Sequence, residues 1–241
     1  YNSNVLELAG NLTLDEGATM ELHPHGIAPE NSYGGGCRGI ALINANAIIN
    51  FSDNSNININ CDNSPLTGPG PDGSIINMTP SNPDLISAAL YASANSQIQM
   101  NGKNSNFNIN VTGAVYNNNS VAYIQGMTQN ISNSSTFSVN LKNPGAYNPI
   151  YGVVYIGNSS NINVNENGEF EVKTDPLIGG YLMFMPQVSF NITRPKSFLL
   201  DNGGSSNSKI LFMNNDQYIN AQDIIASANG YSYEWKTSNI V

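Results

Sequence analysis

Gly152-Val-Val-Tyr-Ile-Gly-Asn-Ser-Ser-Asn-Ile-Asn-Val-Asn-Glu-Asn-Gly-Glu-Phe-Glu-Val-Lys-Thr-Asp175 reads as one complete structural unit. Val154 and Ile156 alternate with Val153 and Tyr155, Ile162 and Val164 with Asn161 and Asn163, and Phe170 and Val172 with Glu169 and Glu171. Period-two patterning repeated three times between turn residues predicts three short, half-buried strands. A unit of that kind cannot close a core alone, so it predicts one coil of a solenoid.

The rest of the chain superposes on this unit. Its first strand recurs at Gly39–Asn44, Ser87–Ala92, Ser120–Gln125 and Gly180–Met185. Its third recurs at Ile57–Cys61, Phe107–Val111, Phe137–Leu141 and Phe198–Leu200, with Met20–Leu22 as an earlier copy. Phe107, Phe137, Phe170 and Phe198 then share one inward position, where a rise of about 4.8 Å per coil lets their rings stack. The pattern predicts an all-β chain, a right-handed parallel β-helix of about six to seven coils of roughly 30 residues, with long loop insertions. Residues 1–241 are expected to form a single domain, with coils over 1–220 and a C-terminal cap over 221–241 that carries Tyr231, Tyr233 and Trp235. Tyr1 to Leu22 is the first coil, with strands at Val5–Leu8, Leu12–Leu14 and Met20–Leu22.

Two proline-containing insertions, 62–85 and 142–150, follow the third strand of their coils and should leave from one corner of the solenoid. A hairpin or short helix is expected near Ser74 to Met78. Asn is normally depleted from strands, yet Asn56-Ile-Asn-Ile-Asn60 and Asn161-Ile-Asn-Val-Asn165 alternate it with aliphatics. With the aliphatics inside, the amides point outward, where equal positions on adjacent coils can form ladders.

The composition excludes several classes of partner. Charged residues make up 10% of the chain, and 8 Lys+Arg against 17 Asp+Glu give a net charge of −9 with no basic stripe. Nucleic acid is therefore excluded as a partner, and anionic surfaces are repelled at neutral pH. No apolar run reaches the roughly 18 residues of a transmembrane helix, so no membrane insertion is expected. The chain opens on Tyr1 without a signal peptide, which predicts a monomeric segment of a longer protein. Cys61 takes the inward position held by Val111 and Leu141, which fits a buried thiol; a bridge to Cys37 fits the sequence as well.

Catalytic signals are weak, and no enzyme activity is expected. Glu169 and Glu171 are the one acidic pair on a central strand, and the turn acids Asp53, Asp62, Asp72, Asp84 and Asp175 read as turn formers. His23-Pro-His25 offers two imidazoles with no third ligand, and Gly34-Gly-Gly36 lacks the lysine and helix of a phosphate loop, so no metal and no cofactor are expected. The outer row of the first strand is more informative. Superposition puts Leu42, Leu90, Tyr123, Tyr155 and Met183 at one outward position, above an inner row of Ala41, Ala89, Ala122, Val154 and Leu182. Either the long loops fold over this apolar column, or Tyr123 and Tyr155, with Leu90 and Met183, form an open ligand-binding strip flanked by amides.

The coils resemble the pectate-lyase-like adhesive domain of Gram-positive, Lactobacillus-type wall-anchored adhesins. The resemblance rests on Val153-Val-Tyr-Ile156, Asn167-Gly-Glu-Phe-Glu-Val172 and Arg194-Pro-Lys-Ser-Phe-Leu-Leu-Asp201, and it covers most of residues 1–215. It implies a secreted, cell-wall-anchored surface protein that binds host epithelial, mucus or matrix glycans, or a glycoprotein receptor, without cleaving them. The alternative is a divergent polysaccharide-cleaving lyase or glycosidase of tailspike type, which requires a cluster of carboxylates around an open groove.

Overall fold

The structure is a computed structural model. It describes residues 3–24, 37–63, 66–69, 75–78, 88–93, 95–113, 120–144, 149, 151–157, 159–186, 188–213, 220–222 and 233–236. Three seven-stranded parallel sheets wind around one core. The first sheet contains β1 (Ser3–Leu8), β4 (Cys37–Leu42), β9 (Leu90–Ala92), β12 (Ala122–Gln125), β15 (Val154–Gly157), β18 (Tyr181–Met185) and β21 (Lys209–Met213). The second contains β2 (Asn11–Leu14), β5 (Ile48–Phe51), β10 (Gln97–Met100), β13 (Thr128–Ile131), β16 (Ser160–Val164), β19 (Val188–Thr193) and β22 (Asn220–Gln222). The third contains β3 (Thr19–Leu22), β6 (Asn56–Asn63), β11 (Asn106–Gly113), β14 (Thr136–Lys142), β17 (Glu169–Thr174), β20 (Ser197–Asp201) and β23 (Tyr233–Lys236). One strand from each sheet makes a coil, so the chain is the all-β parallel β-helix that its periodicity predicts, with seven coils. Within the first insertion, β7 (Leu66–Pro69) and β8 (Ile75–Met78) pair antiparallel as a hairpin. β22 and β23 carry the parallel pairing into the stretch expected to act as a cap, with Phe198 opposite Tyr233 and Leu200 opposite Trp235.

The register of the third sheet follows from its pattern. Met20, Ile57, Phe107, Phe137, Phe170 and Phe198 are mutual partners along successive strands. All four Phe rings are fully buried, with centroids 5.5–5.7 Å apart along the column. Phe51 and Phe190 of the second sheet meet this column at Phe107 and at Phe170 and Phe198, so both sheets share one aromatic spine. Cys61 is buried beside Val111 in the same sheet.

Outside, the amides form the ladders that the composition suggests. Asn106, Asn108 and Asn110 donate Nδ2–H to Oδ1 of Asn56, Asn58 and Asn60 at 2.7, 2.8 and 2.9 Å. Asn58 and Asn60 in turn donate to the two carboxylate oxygens of Glu21, at 2.6 and 3.0 Å. On the second sheet Asn191 donates to Asn163, Asn163 to Asn130 and Asn130 to Gln99, at 2.9, 2.8 and 2.8 Å. Each donor lies one coil beyond its acceptor, so the ladders share one direction. This is how residues of low strand propensity are accommodated: each outward amide satisfies its neighbour.

The turns between the second and third sheets repeat as well. Asn54, Asn104 and Asn167 adopt φ of 58°, 55° and 61°, a left-handed conformation that Asn tolerates because its short amide bonds locally. Behind them Ser105 and Ser135 are buried, 2.9 Å apart at Oγ, and both donate to the Gly102 carbonyl. Asp53 and Asp175 act as the turn residues their positions suggest: Asp53 accepts from Lys103 N at 2.7 Å, and Asp175 from Asn143 N at 2.8 Å.

Candidate functional site

The outer face of the first sheet carries a different residue type. Ala41, Tyr91, Tyr123, Tyr155, Phe184 and Phe212 are partners in sequence along β4, β9, β12, β15, β18 and β21. Tyr123 and Tyr155 therefore stand side by side as expected, but Leu90 and Met183 do not join them. Leu90 pairs with Ala122 and Met183 with Val154, and both are fully buried in the core, as is Leu42. The correction is a slip of one residue, which moves a strand's whole set of side chains to the opposite face. Leu90-Tyr91 and Met183-Phe184 put two apolar residues in a row, so the hydrophobic pattern permits either register. An irregularity at the strand entrance adds to this: Val121 N and Ala122 N both donate to the Val153 carbonyl, at 2.8 and 3.2 Å, the sign of an extra residue.

The result is a continuous aromatic ladder. Ring centroids are 5.4 Å apart for Tyr91–Tyr123, 4.7 Å for Tyr123–Tyr155, 6.0 Å for Tyr155–Phe184 and 4.3 Å for Phe184–Phe212, with planes within 15° of parallel throughout. Carbon atoms attract best at about 3.5–4.0 Å, so parallel rings on strands about 4.8 Å apart slide into the offset arrangement that their quadrupoles favour. All five rings are half-buried. Each inner ring spends its two faces on its neighbours and turns edges and hydroxyls outward. The Tyr123 hydroxyl donates to Gln125 Oε1 at 2.6 Å, and Tyr155 lies over Gly157, where an added Cβ would meet its ring at 2.5 Å. Burial raises the Tyr123 pKa above 10.0, with the Tyr155 and Tyr91 phenols adding to the effect; burial, then Tyr151, raises that of Tyr155.

Two further rings flank the ladder, and neither is at a periodic position on its face. Tyr151 stands at 90° to Tyr155 and 86° to Phe184, with centroids at 6.4 and 5.7 Å. Tyr181 stands at 72° to both Phe184 and Phe212, and the Lys209 ammonium sits 5.9 Å from its centroid. Tyr151 and Ile178 are among the few large apolar side chains left open, at 49% and 53% exposure.

Comparison of the chain with family models, with curated proteins and with solved structures finds no match. The face must be read from its own chemistry.

The carboxylates lie elsewhere. Glu169 and Glu171 point outward from β17 on the third sheet, and each meets a lysine: Glu169 with Lys196 at 2.6 Å, Glu171 with Lys173. Among the described residues no group of three or more His, Cys, Asp or Glu side chains is placed to hold a metal ion. His23 is exposed, while His25 and much of both insertions lie outside the described residues.

Proposed function

We propose that this chain is a non-catalytic binding domain, a bacterial surface adhesin module that takes host epithelial, mucus or matrix glycans on the aromatic face of its first sheet. The observation that carries the reading is the ladder itself. Five rings are held in register on the outside of a sheet whose core is already closed by Leu90, Ala122, Val154 and Met183 beneath them. Among the described residues, outward positions on the other two sheets carry amides, hydroxyls, charged groups and the aliphatics Ile48 and Leu199 but no aromatic, so the fold places no demand for aromatics there. Exposed rings bordered by a hydroxyl–amide pair such as Tyr123–Gln125 offer apolar contact and hydrogen bonding together, the mixture a sugar presents. Display at the Gram-positive cell wall belongs to the same reading and rests on the resemblance of the coils to wall-anchored adhesins.

The test is a glycan array probed with the wild-type chain and with Tyr123→Ala/Tyr155→Ala, both shown to be folded by circular dichroism. Saturable binding lost in the double variant is expected. Binding that the double variant keeps removes the ladder from the reading. The appearance of new reducing ends or unsaturated products from any bound polysaccharide would overturn the non-catalytic assignment in favour of a lyase or glycosidase.

A further inference from the structure

We infer that Tyr151 is the stacking platform of this face, taking one neutral pyranose ring of a glycan flat against its outer side; the inference rests on the glycan-binding reading above. A sugar stacks on an aromatic face, because the negative face of the ring quadrupole attracts polarised C–H bonds. The ladder has few faces to offer. Tyr155 is covered on one side by Tyr123 and on the other by Phe184, and Phe184 by Tyr155 and Phe212. Tyr151 stands at right angles to these two rings and, among the described residues, is stacked face to face on no other ring. At 49% exposure it is also the most open ring of this face. Tyr181, the second perpendicular ring, has the Lys209 ammonium over it. Tyr151 thus combines contact with two fixed rings and an open, unstacked surface.

The backbone fixes this ring in place. The Pro149 carbonyl accepts from both Gly152 N and Tyr181 N, at 3.1 and 3.0 Å, and the Tyr151 carbonyl accepts from Ser120 Oγ at 3.3 Å. Gly152, at φ +80°, approaches Phe184 N so closely that a Cβ would lie 2.9 Å away; at Gly180, φ +74°, a Cβ would lie 2.4 Å from the Pro149 carbonyl oxygen. Two glycines in left-handed conformation therefore let Pro149 and the Tyr151–Gly152 backbone sit down on β18, and a ring held before the ligand arrives loses less entropy on binding. The net charge of −9 selects against uronic and sialic acids, which leaves neutral hexoses and N-acetylhexosamines.

The experiment titrates protein carrying carbon-labelled tyrosine with neutral galacto-, gluco-, manno- and N-acetylglucosamine-type oligosaccharides, reading the ring resonances by NMR. The largest ring shift is expected at Tyr151. Tyr151→Ala should weaken binding about tenfold or more while circular dichroism shows the fold retained, and Tyr151→Phe should restore affinity to within about twofold. If Tyr151→Ala keeps wild-type affinity while Tyr123→Ala/Tyr155→Ala loses it, Tyr151 is not the platform and the glycan-binding reading stands. If the wild-type protein binds none of the arrayed or titrated sugars, both are overturned.

Discussion

The molecule contains two aromatic columns of the same repeat, one inside the third sheet and one outside the first, and they are built differently. The inner Phe column mixes geometries: Phe107 meets Phe137 edge-on at 77°, whereas Phe137–Phe170 and Phe170–Phe198 stack at 23° and 16°. The outer column is parallel at every step, at 4°, 7°, 15° and 5°. Inside, rings from the facing sheet such as Phe51 and Phe190 compete for position, and each Phe turns to fill the space left to it. Outside, the rings stack on neighbours along the axis while Tyr151 and Tyr181 meet the column at steep angles, so the strand spacing sets the parallel stacking. The inner column is therefore an outcome of packing, and the outer one is an addition to a fold that is complete beneath it.

That contrast can be broken by measurement, beginning with the inner column. Phe137→Ala removes a fully buried ring and should cost about 3–5 kcal/mol, read from urea unfolding. Tyr123→Ala loses two ring pairs worth about 0.5–1.5 kcal/mol each and little core, so it should cost distinctly less; equal losses for the two variants would end the distinction. Asn108→Ala breaks the hydrogen bond to Asn58 and the one from Ser138, and in this half-buried amide ladder the cost should be about 1 kcal/mol per bond or less. The smallest effect is alkaline. Because the folded state raises the Tyr123 pKa, it holds a proton that the unfolded chain releases near pH 10. The stability so gained is present below that pH and is lost as pH rises through the folded pKa. Phenolate absorbance should therefore show a late-titrating component that Tyr123→Phe diminishes.

Legibility from the sequence divides along the same line. The third sheet was open to reading because Phe107-Asn-Ile-Asn-Val111 and its copies alternate strictly, and one register alone buries the apolar set. The amide ladders follow from that register. On the first sheet, Leu-Tyr and Met-Phe pairs remove the alternation, and entry loops of unequal length remove the ruler, so Tyr91, Phe184 and Phe212 were missed while Leu90 and Met183 were placed outside. Superposing the aromatics in place of the Gly and Ser strand starts would have found the column. Tyr151 carried no periodic signal at all: its place depends on Gly152, Gly180 and the Pro149 carbonyl coming together across two coils. The seventh coil falls within the expected six to seven, but Tyr233–Lys236 reads as cap because so short a segment takes its strand identity from the template it lies on, β20.

The direction of the amide ladders has a consequence for how far each of them can run. Every rung hands a proton donor towards the N-terminal side of the stack, so a ladder continues only where its acceptor also carries an N–H to pass on. Glu21 stands on that side with both oxygens engaged by Asn58 and Asn60. An ionised carboxylate only accepts, and it has no N–H to pass on. Glu7, Asp15 and Glu16 share its coil, which has no lysine or arginine before His23. Glu21 therefore serves as a chain terminator for the ladders: it closes two hydrogen-bonded series with one residue, and neither can pass through it to a strand beyond β3.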